Sequence, residues 1–183
     1  SLRKFTTLAA NNYDKHFDYS YAMNIYIPYL RLADVYLMYA EAALMGNNSI
    51  SGKSSNFSKT ALDAVNVIRE RAGVAPVHQK FQSSVTTFLD ELRRERAVEL
   101  AYEGHRFNDL RRWLLLIERP YTLKTSVEFD RASFDPEDPT NNRIVNIREN
   151  VILERNFSSK HYWLPLKVSD VNLYPEFYQN PGW

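Results

Sequence analysis

The densest chemistry in the sequence lies between Glu95 and Trp113, ERAVELAYEGHRFNDLRRW. Glu99 and Glu103 stand about one helical turn apart. Two neighbouring carboxylates suggest general acid–base work. Glycoside hydrolysis needs such a pair, with one carboxyl made more acid-like by its surroundings. Arg96 and Arg106 flank the two glutamates and favour the ionised form of both, so neither is suited to give a proton. Glu95, Asp109, Arg111 and Arg112 extend the same pattern, a three-to-four-residue spacing that pairs charges on one helix face. Leu89, Leu92, Arg96, Leu100 and Glu103 fall on one stripe. That puts Arg96 and Glu103 on or beside a buried surface, where charges persist only when paired. The segment therefore reads as architecture. Arg96 is expected to pair with Glu99, Glu103, Asp109 or a carboxylate of the first helix.

Other chemistries find less support. His16, His78, His105 and His161 are far apart, and none sits in an HxxH or HExxH frame, so no metal is assigned. Asp130, Asp135, Glu137 and Asp138 offer oxygen ligands of the kind calcium takes, but their spacing does not match the helix-loop-helix calcium motif, and a solvated loop is expected. There is no nucleophile elbow, phosphate loop or dinucleotide fingerprint, and no cofactor is implied. Asn11, Asn12, Tyr13, Tyr19 and Tyr21 are the candidate ligand-binding residues. Aromatic rings give sugars an apolar face, and amides supply paired donors and acceptors.

Bulk properties narrow the classes. The chain has 183 residues, 23 basic and 22 acidic side chains and a net charge of +1. No basic excess is present to neutralise a phosphate backbone, which argues against nucleic acid as a partner. There is no cysteine, so disulfide and thiolate chemistry are absent from this sequence. No run of 18 apolar residues occurs. The 12 tyrosines, 10 phenylalanines and 3 tryptophans suit helix packing and also wet, amphipathic surfaces.

These residues need a helical frame. A first helix is predicted from near Pro28 to just before Gly46, with Leu32, Val35, Tyr36, Tyr39, Ala40 and Ala43 inward and Arg31, Asp34, Met38 and Glu41 on a polar stripe. A second is predicted over about 58–72, with Thr60 and Asp63 as a capping pair, Ala61, Ala64, Val65, Ile68 and Ala72 inward, and Gly73 as its stop. A third covers about 85–102 and breaks at Gly104. A fourth covers about 105–117, with Phe107, Leu110, Trp113, Leu114 and Ile117 inward. The result is a mostly α fold of two helix pairs, about 28–73 and 85–118, in the manner of a short repeat array. Residues 120–183 read as an irregular region with short strands at about 122–129, 144–153 and 161–166, and a turn-rich excursion over 132–143. Tyr174, Phe177, Tyr178 and Trp183 are expected to pack on the helical body and close the fold.

Four ordered blocks carry a family resemblance. IPYLRLADVYLMYAEAAL at 27–44, LDAVNVIRERAG at 62–73, ERAVELAYEGHRFNDLRRW at 95–113 and HYWLPLKVSDVNLYPEFYQNPGW at 161–183 resemble the SusD/RagB family. The last block resembles that family's terminal "PIP…NP…QNPGY" segment, with Leu164 and Leu166 around Pro165 and Trp183 in place of a common Tyr. The matched positions Arg31, Glu41, Arg69, Glu95, Arg96, Glu99, Glu103, Arg106, Asp109 and Trp113 are fold signature, and the resemblance makes none of them a ligand contact.

The resemblance implies tetratricopeptide-like helix pairs in a non-catalytic, lipid-anchored outer-membrane protein of Bacteroidetes. Such proteins lie on the extracellular face, bind glycans and sometimes peptides in polysaccharide utilisation, and pass them to a SusC-like TonB-dependent transporter. The family is normally far longer than 183 residues. The resemblance thus makes this chain a C-terminal portion, with the N-terminal part of the same protein as a partner and the lipid-bearing cysteine outside this sequence. A helical-repeat scaffold for another protein is the competing expectation.

Overall fold

The computed structural model describes Lys4 and residues 28–183. Asn11, Asn12, Tyr13, Tyr19 and Tyr21 lie outside the described residues. The chain forms two compact units, residues 1–99 and 100–183.

The first unit is built on three helices, α1 (Leu32–Asn47), α2 (Ala61–Arg71) and α3 (Val85–Glu99). Its core joins Ala40, Ala43 and Leu44 of α1, Ala61, Ala64 and Val65 of α2, Val77, and Phe88 and Leu92 of α3. Four alanines in this set let α1 and α2 approach closely, and the larger Phe88, Leu92 and Leu44 fill the space between helices. Each such large side chain contributes roughly 1.5–3 kcal/mol by leaving water.

Helix α1 starts at Leu32 rather than near Pro28, after Arg31 in an extended conformation with no side-chain cap. It stops where Asn48 turns left-handed (φ 48°) and returns its N–H to Leu44 and Met45. Its buried stripe is Ala33, Asp34, Leu37, Ala40, Ala43 and Leu44, whereas Leu32 is 69% and Val35 41% exposed. The expected face is therefore rotated. The helix is apolar on nearly every side, so periodicity alone chose poorly, and Asp34 moves from the polar stripe into the core.

Helix α2 has the expected capping box. The Thr60 hydroxyl accepts the Asp63 N–H at 3.1 Å, and the Asp63 carboxylate accepts the Thr60 N–H at 2.9 Å. Ala61, Ala64, Val65 and Ile68 are buried; Ala72 is exposed, because the helix ends at Arg71. Gly73, at φ +70°, supplies the left-handed residue that stops it. Helix α3 ends at Glu99, three residues before the expected end, and Tyr102 follows at φ +66°. It buries Phe88, Glu91, Leu92, Glu95 and Arg96.

In the second unit, α4 (His105–Arg112) starts after Gly104 at φ +82°. It ends five residues earlier than expected, because Trp113 caps it and Leu114 turns left-handed at φ +57°. Of the predicted stripe only Leu110 is buried. Phe107 and Leu114 are exposed, Trp113 is half-buried, and Leu116 replaces Ile117 inside.

The strands are longer than expected. β1 (Leu123–Ser133) and β2 (Arg143–Glu154) form one antiparallel hairpin, with Val127 opposite Glu149 and three register shifts along its length. In the connecting loop the Asp135 carboxylate accepts the N–H groups of Glu137 and Asp138 at 2.9 and 3.1 Å, and the Asn141 amide at 3.2 Å. The acidic run thus folds its own turn.

The expected strand over 161–166 is absent. A short 3-10 turn, Ser159–Tyr162, stands there, closed by the Ser158 and His161 side chains. A last short helix, α5, spans Val168–Val171. The C-terminal rings do not close a core: Tyr174 is 65%, Phe177 45%, Tyr178 81% and Trp183 44% exposed. The tail is held by polar contacts. Trp183 Nε1 donates to the carbonyls of Lys160 and Trp163, both at 3.1 Å, and Gln179 exchanges two hydrogen bonds with the Leu166 backbone.

Candidate functional site

The signature charges of the first unit pair with one another. Arg96 donates to Asp34 at 2.5 Å, with both side chains 5% exposed. The partner comes from helix one, as one of the sequence alternatives allowed. Arg69 meets Glu95 at 2.5 Å and Glu91 at 3.6 Å, and its Nε donates to the Ala75 carbonyl at 2.7 Å. Arg94 makes a two-point pair with the same Glu91. Glu99 receives Arg31 at 2.9 Å and Arg71 at 2.8 Å. Its arginine neighbours are thus Arg31 and Arg71, not the expected Arg96 and Arg106. Glu41 is half-buried on α1. This lattice ties α1, α2 and α3 together, and its acids are already committed to cations.

In the second unit Glu103 is half-buried in the turn before α4. Asp109 is buried and holds Arg112 at 3.0 Å, and the Arg112 guanidinium also lies 4.5 Å from the Trp113 ring. Arg106 sits 5.4 Å from the Tyr121 ring.

Three open clefts mark this unit. One, of about 430 Å³, is lined by Asn108, Arg111, Arg112, Leu114, Tyr162 and Trp163. Its cations are occupied: Arg111 clasps the Tyr162 carbonyl through Nε at 3.0 Å and a terminal nitrogen at 2.5 Å, and Arg112 holds Asp109. What it offers a ligand is the exposed Trp163 ring, the exposed Leu114 and the Asn108 amide. Such a surface can stack a sugar ring and bond its hydroxyls.

A second cleft, of about 260 Å³, is lined by Arg106, Phe107, Leu110, Leu116, Arg155 and Phe157. A third, of about 300 Å³, adjoins it through Arg155 and Phe157 and adds Ile117, Arg119, Thr122, Glu154 and Asn156. The hairpin positions both. Thr122 precedes β1 and Arg155 follows β2, and the Arg155 N–H donates to the Thr122 carbonyl at 2.8 Å. Phe157 then meets Phe107 of α4 with ring centres 6.4 Å apart. Arg119 is bound to Glu154 at 3.2 Å.

No group of three or more His, Cys, Asp or Glu side chains among the described residues is placed to hold a metal ion. No described helix is long and apolar enough to cross a membrane. The sequence reading missed Asp34, Thr122, Arg155 and Trp163. Asp34 carried a signal, since a carboxylate on an apolar helix beside an arginine-rich one invites pairing. Arg155 and Thr122 carried none, because the hairpin closure that joins them is non-local.

Known proteins give a consistent match. The family model described as the SusD family matches residues 1–183. A SusD-like protein of Bacteroides ovatus is 41% identical over 92 residues, covering 50% of this chain and 14% of that protein. SusD-like protein P25 of Formosa agariphila is 31% identical over 133 residues, covering 61% of this chain and 24% of that protein. A solved SusD-like protein of Bacteroides fragilis superposes with a TM-score of 0.62 at 27% identity, over 85% of this chain and 25% of that one. The chain thus spans a quarter or less of the length of these relatives.

Proposed function

The chain belongs to the SusD family, and on that premise we propose that the protein bearing it is a non-catalytic nutrient-binding protein of the outer membrane. It captures oligo- or polysaccharide at the extracellular face and delivers it to a SusC-like TonB-dependent transporter. A lipidated cysteine outside this sequence anchors it. The match to the family over residues 1–183 carries this reading. The helical unit supplies a rigid body. The second unit offers exposed Trp163 and Asn108 in a shallow cleft, a surface suited to sugar.

The same lattice supports a non-catalytic role. Glu99, four residues from Glu103, is taken up by Arg31 and Arg71. The test uses the natural full-length protein. Affinity electrophoresis and calorimetry against a polysaccharide panel should show retention of at least one glycan without new reducing ends. Purification from the membrane should bring down a TonB-dependent transporter. Retention of none of the panel, or sugar release that disappears with Glu99→Gln, would refute the reading.

A further inference from the structure

The two adjoining clefts of the second unit share an imbalance of charge. Arg106 and Arg155 both line the first of them. Arg155 makes no side-chain hydrogen bond or ion pair among the described residues, and Arg106 lies over the Tyr121 ring and within the attraction of Asp109. The carboxylates around them are committed elsewhere: Asp109 holds Arg112, and Glu154 holds Arg119. Arg106 keeps more than a third of its surface in solvent. Even so, partial burial lowers the pKa of its guanidinium, outweighing the opposing attraction of Tyr121 and Asp109. A partly desolvated cation whose nearest carboxylate is shared with another arginine is receptive to an arriving anion.

A second observation is independent of charge. Thr122 is 6% exposed and lines the adjoining cleft, yet its Oγ1 has no hydrogen-bond partner. Buried hydroxyls are nearly always satisfied, and an orphan at the wall of a cleft points to a polar ligand atom beside it. The rest of the lining fits a ring. Phe107 and Phe157 stand 46° apart in plane, above Leu110 and Leu116, and Asn156 adds an exposed amide.

We propose that these joined clefts form one binding site for the oxyanion of an acidic glycan, carboxylate or sulfate ester. Arg155 and Arg106 take the oxyanion, because planar guanidinium forks match its geometry. The Thr122 hydroxyl donates to a further oxygen, and the sugar ring lies on Phe157. This rests on the glycan-binding reading above and narrows it to charged polysaccharides.

The test is calorimetry on the natural full-length protein with polygalacturonate, a sulfated galactan and neutral starch as probes. At least one acidic polymer should bind, and raising salt from low to several hundred millimolar should weaken it. Which polymer binds tells carboxylate from sulfate. Arg155→Ala should reduce its affinity tenfold or more without moving the melting temperature. Thr122→Val keeps shape and removes the hydroxyl, and should weaken binding severalfold. Acidic-polymer binding indifferent to Arg106→Ala, Arg155→Ala and Thr122→Val would overturn the site while leaving glycan capture intact. Binding of starch alone would likewise overturn it. Binding of no glycan would remove both readings together.

Discussion

Replacing Arg96 by alanine tests whether the charged lattice is architecture. The Arg96 and Asp34 side chains are each 5% exposed and meet at 2.5 Å across α1 and α3. Arg96→Ala leaves the Asp34 carboxylate buried without the cation that compensates it. Removing one partner of a buried pair typically costs about 3–5 kcal/mol, most of it the burial cost of the charge left behind. For a chain of this length, about 2–4 °C per kcal/mol gives a fall in melting temperature of roughly 6–20 °C. A companion variant separates this from lost packing. Arg96→Met with Asp34→Leu removes both charges and keeps apolar volume, and should recover most of the loss. Chemical denaturation, followed by circular dichroism, reads both. A single variant within about 1 kcal/mol of the parent would refute the buried-pair account, since that is the range of exposed pairs. A double variant as unstable as the single one would refute the attribution to uncompensated charge.

Other consequences are smaller and local. Thr60→Ala should cost about 1 kcal/mol at neutral pH by removing the α2 cap. The Asp63 carboxyl is held below its usual range, first by the Thr60 N–H and then by its hydroxyl. That support is present above the unfolded value near pH 4 and fades as pH falls through the lower folded value; the gap between parent and variant should narrow in acid by the share of the hydroxyl–carboxylate bond, while the bond from the Asp63 N–H to the Thr60 hydroxyl keeps it open. Gly52→Ala should destabilise by about 1–3 kcal/mol, because a Cβ there would lie 2.5 Å from the Ala43 carbonyl oxygen and 2.7 Å from Asn47 Cβ. Gly182→Ala should loosen the tail, since this residue sits at φ +86° and its Cβ would come 2.8 Å from Lys160 Cβ. Faster chymotryptic cleavage after Tyr178, with little change in global melting, is the expected readout.

The parts of the fold legible in the sequence were those fixed by local chemistry. The Thr60–Asp63 box needs only residues three apart, and both hydrogen bonds are present. Gly73 marks a real stop because the chain goes left-handed there, whereas Gly104, also left-handed, caps the start of α4 and α3 has already ended at Glu99. Failures came where local signals were degenerate. Apolar residues on most sides of α1 hid that Leu37 and Leu44, not Leu32 and Val35, form the core. Leu114 fits a helical stripe by type but breaks the helix by its backbone angle. The aromatic tail was read as buried because large rings usually are, yet its indole N–H finds backbone carbonyls at the surface. The candidate cleft was the least legible part. Arg155 and Thr122 are 33 positions apart, and only the hairpin register brings them together.

Glu99 constrains how the sequence can change by inheritance. Its carboxylate takes Arg31 and Arg71, and its carbonyl, at the C-terminal end of α3, also accepts the Arg31 guanidinium at 3.0 Å and Lys4 Nζ at 2.7 Å. Three segments far apart in the chain thus converge on one residue, with cations at the helix end that attracts them. Substitutions at such a hub do not act independently. A lineage that loses Glu99 deprives Arg31 and Arg71 of the carboxylate they share, so the next tolerated changes fall on those two positions. Descendant sequences should therefore carry Arg31, Arg71 and Glu99 as a linked set, exchanged together or not at all, while the Ser- and Asn-rich connection between α1 and α2 drifts freely.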